Sequence, residues 1–124
     1  MMIPIEKILW AEKGTGLAAC GKIPERGDFF QDHFPDFPVL PGVLALDLLK
    51  GLADRHWQLS GESSSPVLKS MHHVRFLSFL APGEEWEAVV RIAGRADENV
   101  EWSGQLTAQG KTAVSARWNV RLIP

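Results

Sequence analysis

Asp28-Phe29-Phe30-Gln31-Asp32-His33-Phe34-Pro35-Asp36-Phe37-Pro38-Val39-Leu40-Pro41-Gly42-Val43-Leu44-Ala45-Leu46-Asp47 is the stretch on which the reading of this chain turns. Its two halves obey different rules. From Pro24 to Pro41 four prolines fix φ and remove backbone donors, which predicts an ordered loop and neither helix nor strand. From Gly42 onward, Val43, Leu44, Leu46, Leu48, Leu49, Leu52, Ala53 and Trp57 form a run of mostly good helix formers that is apolar on most sides, which predicts a buried helix. Pro41 stands where a first helical turn tolerates proline, and Gly61 with Ser63-Ser64-Ser65-Pro66 closes the element.

Outward from this helix the pattern is that of strands. Ile8 to Lys13 and Leu17 to Ile23 flank Gly14-Thr15-Gly16, which reads as a hairpin. After the serine loop, Val67 to Leu80, Trp86 to Ala93, Val100 to Ala108 and Thr112 to Ile123 are separated by Pro82-Gly83, Ala96-Asp97-Glu98-Asn99 and Gly110-Lys111. One helix and about six strands, with no alternating helices to build parallel crossovers, predict an α+β fold: an antiparallel sheet wrapped around a central helix. No internal repeat is present.

Composition sets the outer bounds. A chain of 124 residues that is 45% hydrophobic suits one globular domain, 1-124, with one core. Thirteen Lys plus Arg against fifteen Asp plus Glu leave a net charge of -2, so nothing marks a nucleic-acid partner. Cys20 is the single cysteine and no zinc-ligand spacing occurs, which suits a reducing compartment. Met1 to Lys7 lacks the basic start and apolar run of a secretory signal, and no stretch is long enough to span a bilayer, so a cytoplasmic location is expected.

Within the opening stretch two side chains carry chemistry. His33 sits in a proline-stiffened loop, where an imidazole can act as a base at neutral pH. Asp47 stands between Leu46 and Leu48, where partial desolvation favours the protonated, proton-donating form. Between them, the amides of Gly42 and Val43 at the helix start can polarise a bound carbonyl, and Gly42 admits close approach to the backbone. Five residues separate Gly42 from Asp47, roughly 7.5 Å along the axis, a length that suits a small acyl group. By pattern alone, though, Asp47, Lys50 and Asp54 also share one helical face, the spacing of a solvated stripe.

The run His33-Phe34-Pro35, then Pro38-Val39-Leu40-Pro41-Gly42-Val43-Leu44 and an acid at Asp47, closely resembles the signature of the β-hydroxyacyl-acyl carrier protein dehydratases. Phe29-Phe30 fits as well, and Val74-Arg75-Phe76 followed by Pro82-Gly83-Glu84 resembles that family's second landmark. The Pro-Gly-Val-x-x-x-Asp pattern with Phe37 is similar to the small dehydratases of aryl-polyene pathways. Such a resemblance implies a hot-dog fold and a homodimer with active sites shared between subunits; whether dimers assemble further stays open. It implies that His33 of one chain abstracts the α-proton, that Asp47 of the other helps expel the 3-hydroxyl, and that the Gly42 amide holds the thioester oxygen. Val43, Phe34 and Pro41 would complete the substrate site. The substrate would arrive on acyl carrier protein or coenzyme A, and neither metal nor organic cofactor is implied. The chain departs from the family in carrying Asp32 and Asp36 where glycines flank the His-Phe-Pro unit, and Gly51, beside Lys50, where the family has glutamine.

Two other readings stay open. A hot-dog thioesterase would keep Asp47 to activate water and would not need His33, and a non-catalytic acyl-binding subunit would bind without turnover. Gly14-x-Gly16-x-x-Ala19 fits a dinucleotide fingerprint only formally, because Gly21 and Pro24 break the helix it requires. His72 and His73 are expected on opposite faces of a strand, and His56 on the helix surface. Cys20 is expected as a small buried group, and the five tryptophans as core or interface. Lys69, Arg75, Arg117 and Arg121 could meet an acidic carrier, or simply form a solvated face.

Overall fold

The computed structural model describes residues 3–25 and 40–124. His33 and Phe34, with most of the proline-rich loop, lie outside the described residues.

The expected hairpin forms from β1 (Lys7–Glu12) and β2 (Gly16–Lys22), with Gly14 at φ 79 in the turn, a conformation that suits glycine. The helix α1 (Gly42–Leu59) follows, and then β3 (Ser65–Phe76), β4 (Glu85–Ala96), β5 (Asn99–Ala108) and β6 (Lys111–Ile123). All pairings are antiparallel, in the order β1-β2-β4-β5-β6-β3, so β1 and β3 are the edges of one six-stranded sheet. The period of two that predicted strands sets which face is buried. Along β6, Val114, Ala116, Trp118, Val120 and Leu122 turn inward, and along β5, Val100, Trp102, Gly104 and Leu106 do the same.

Against that inward face α1 buries Ala45, Leu48, Leu49, Leu52, Ala53, His56 and Trp57. Each fully buried leucine of this set contributes on the order of 1.5–3 kcal/mol. Trp86, Trp102 and Trp118 are almost wholly buried, and Trp102 stacks on Trp118 with ring centroids 6.5 Å apart. Trp10 is only partly buried and lies beneath the Arg91 guanidinium, 5.1 Å from its ring centroid.

Several expectations need correction. α1 is not enclosed on all sides by its own chain, because Val43, Asp47, Gly51, Arg55 and Gln58 are exposed. The strand expected to run to Leu80 ends at Phe76, and Leu77 to Leu80 leave the sheet. Pro66, expected in the loop, pairs with Leu122 at the start of β3, which an edge strand permits. Cys20 is half-buried, not buried, and faces Lys7 and Glu87 across its two neighbouring strands.

Candidate functional site

The approach to α1 is fixed before the helix begins. Leu40 is buried, and its amide donates to the Leu80 carbonyl at 2.7 Å, tying the residue before Pro41 to the segment that leaves β3. Pro41 occupies the N-cap with φ -57 and ψ 136, so the first turn has no side-chain acceptor, and it holds no acidic residue either. The Leu44 amide reaches the Pro41 carbonyl at 3.0 Å, whereas the Gly42 and Val43 amides have no partner among the described residues. An uncapped helix start keeps its donors and the positive end of its dipole available to something else.

Those donors border a cavity of about 530 Å³. Leu40, Pro41, Gly42, Val43, Ala45 and Leu46 form one wall, Phe76, Leu77, Ser78, Phe79 and Leu80 the other, and Val114 joins them from β6. Among the described residues Ser78 is the one polar side chain in this lining. The corrected end of β3 explains the cavity. Leu77 and Ser78 both donate to the Ala113 carbonyl, at 2.7 and 3.3 Å, which turns the chain away from the sheet and brings its apolar side chains opposite the helix start. Sequence reasoning missed this wall. The signal was the unalternating Phe76-Leu77-Ser78-Phe79-Leu80 ahead of Pro82-Gly83, which does not fit a half-buried strand.

Asp47 is exposed and has no hydrogen-bond or ion-pair partner among the described residues. The desolvation expected for it is therefore not provided by its own chain. Lys50 instead bonds Asp54 at 2.8 Å, an i,i+4 pair. Asp47 borders a second hollow of about 300 Å³, together with Ile3, Ile5, Leu44 and Leu48. The structure thus places Pro41, Gly42 and Val43 in one cavity and Asp47 in its neighbour. Val43 and Asp47 stand one turn apart on the same face, and both are exposed, Val43 at 69%, so together they form an open strip along α1. His33 and Phe34 cannot be placed, since both fall outside the described residues.

The remaining histidines differ from expectation. His56 is 1% exposed, its Nε2 lies 2.9 Å from the Glu12 carbonyl, and its ring meets Trp102 edge-on. His72 and His73 do not diverge to opposite faces: a bulge with His73 at φ 50 brings their rings to 4.9 Å. Among the described residues no grouping of His, Cys, Asp and Glu could hold a metal ion, and no helix is long and apolar enough to cross a membrane. Of Lys69, Arg75, Arg117 and Arg121, Arg117 pairs with Glu101 at 2.8 Å and Arg121 with Glu98 at 3.4 Å.

Comparison with known proteins adds to this geometry. A family model described as ApeI-like, ApeI dehydratase, matches residues 11–117. A 3-hydroxyacyl-[acyl-carrier-protein] dehydratase FabZ from Oleidesulfovibrio alaskensis is 28% identical over 116 residues, covering 90% of this chain and 75% of the relative. Its counterpart in Pseudothermotoga lettingae is 33% identical over 88 residues, 71% of this chain and 63% of that one. Among solved structures, the dehydratase heterocomplex ApeI:P from Xenorhabdus doucetiae superposes with TM-score 0.73 at 17% identity, covering 99% of this chain and 84% of that chain. A mutant of thioesterase PA1618 from Pseudomonas aeruginosa gives 0.73 at 18%, covering 97% and 81%. The protein smu.793 from Streptococcus mutans, bound to acetyl CoA, gives 0.78 at 11%, covering 98% and 90%. These likenesses establish the hot-dog fold.

Proposed function

The chain belongs to the ApeI-like dehydratase family, and from that premise we propose that it removes water from a (3R)-hydroxyacyl thioester to give the trans-2-enoyl thioester. The observation that carries this reading is the uncapped start of α1 opening onto an apolar cavity of about 530 Å³. An acyl group needs apolar walls, and a thioester oxygen that gains negative charge needs fixed donors at their end.

In this reading the Gly42 amide, with Val43 beside it, draws electron density onto the thioester oxygen and acidifies the α-carbon. His33 takes the α-proton. As the double bond forms between the α- and β-carbons, the bond from the β-carbon to the hydroxyl oxygen breaks, and Asp47 supplies the proton with which that oxygen leaves as water. The elimination is redox-neutral and uses only side chains and backbone. The thioester is carried by acyl carrier protein or coenzyme A, in a cytoplasmic pathway of fatty-acid, polyene or polyketide type.

The site is completed by a second subunit. None of the twelve residues of β3 is buried, although β3 forms an edge of the sheet, and an open edge of that kind is built to be covered. We assign it to a homodimer that joins two sheets side by side, with Asp47 and the open Val43 strip of one chain facing His33 of the other. A partner seated there would also desolvate Asp47. The Xenorhabdus complex, a dehydratase heterocomplex, makes a non-identical hot-dog partner the alternative occupant.

A second reading, hydrolysis of the thioester, is favoured by the exposed Asp47 carboxylate, which could activate water. The deciding experiment incubates the protein with a short 3-hydroxyacyl thioester and follows enoyl thioester and free thiol in parallel. Enoyl product lost in both His33→Ala and Asp47→Asn is the expected result. Thiol release that depends on Asp47 alone supports the thioesterase, and binding without either product supports a non-catalytic acyl-binding subunit.

A further inference from the structure

Gly42 is fixed as glycine by a neighbour, and that neighbour belongs to the site. A Cβ built on Gly42 would stand 2.5 Å from Cε1, 2.8 Å from Cζ and 3.0 Å from Cδ1 of Phe76. The ring therefore occupies the space a side chain would fill at the first residue of α1. Yet Phe76 is 57% exposed and is no core residue; it is the last residue of β3 and a wall of the large cavity. The backbone that carries it is anchored, because Phe76 pairs with Val114 and Leu77 donates to the Ala113 carbonyl at 2.7 Å. An aromatic ring thus lines the cavity against a residue whose amide has no partner among the described residues.

We propose that Phe76 is the positioning residue for the thioester, and that Phe76 and Gly42 work as a pair. This rests on the dehydratase reading of the same site. The Cβ position is two bonds from the amide nitrogen, so the ring is within reach of a thioester whose oxygen accepts from the Gly42 N–H. The glycine admits the ring; the ring limits the side from which the carbonyl reaches the amide and sets how the acyl chain enters the cavity. The pairing also assigns a role to the second sequence landmark, Val74-Arg75-Phe76, which the catalytic groups leave unused.

The test compares wild type, Gly42→Ala, Phe76→Ala, Phe76→Leu and the Gly42→Ala/Phe76→Ala double variant on 3-hydroxybutyryl and 3-hydroxydecanoyl N-acetylcysteamine thioesters, with thermal unfolding of each. Gly42→Ala alone should lower kcat/KM about tenfold or more, because its methyl displaces the ring; in the Phe76→Ala background the same change should cost under about threefold. Phe76→Ala should raise KM and flatten the preference between short and long acyl groups, and Phe76→Leu should restore part of it. Effects of the two positions that multiply, or a length preference that Phe76→Ala leaves intact, overturn the proposal while the dehydratase reading stands. A wild-type chain that forms enoyl product from neither thioester overturns the dehydratase reading, and the positioning role with it.

Discussion

His56 shows how much one side chain can reorganise a reading made from pattern. Helical spacing put it on the surface, but its Nε2 and the Glu12 carbonyl are 2.9 Å apart, and its ring meets Trp102 edge-on, so the histidine joins the last turns of α1 to the hairpin of β1 and β2. The Glu12 carbonyl also accepts from Thr15 at 3.0 Å, which places the histidine on the turn itself. His56→Ala should cost about 2–4 kcal/mol, from a cavity and a lost hydrogen bond together, read as a lower urea midpoint with an unchanged slope. Nothing in the local sequence announces this role, since a polar residue's burial depends on a partner 44 positions away. His33 and Asp47 differ: their candidacy was legible in the residues around them, and the stripe spacing of Asp47, Lys50 and Asp54 left open the exposure that the structure gives Asp47.

At the scale of the element, α1 carries both a packed face and an open one, and substitutions on each separate them. Apart from the helix's own backbone, nothing lies within 4 Å of where a Cβ would stand on Gly51, which is exposed in the helix interior. Gly51→Ala should therefore raise stability by about 0.5–1 kcal/mol, seen as a higher melting temperature. Leu49, on the packed face, is fully buried against Gly104 and its neighbours, and Leu49→Ala should cost about 2–5 kcal/mol in the same experiment. The boundaries of α1, β2, β4, β5 and β6 were readable to within a few residues because turn residues or a change of period mark their ends. The end of β3 was not, because whether Leu77 to Leu80 stay in the sheet is decided by two hydrogen bonds to Ala113, far along the chain.

For the whole molecule the open features converge. The β3 edge, the Val43 and Asp47 strip, and the exposed Phe76 and Leu77 form the surface that the proposed homodimer would cover. If His33 and Asp47 of one site come from different subunits, mixing inactive His33→Ala with inactive Asp47→Asn under subunit exchange should restore up to about a quarter of wild-type activity, since half the dimers then hold one intact site. Initial rates after mixing measure this, and no recovery, with exchange verified by mass, would place both groups in one chain.

By itself the sequence determined the hairpin, the long helix and its start at Gly42, the strands that follow it, and the residue types that make thioester chemistry plausible. All of these depend on neighbours within a few positions, where φ preferences, proline, glycine and the periods of two and 3.6 act directly. Only the tertiary structure decided that β3 stops at Phe76, that its ring closes on Gly42, that His56 is buried and that Asp47 is left open. Each of those outcomes is set by contacts between segments distant in the chain, whose pairing no local pattern encodes.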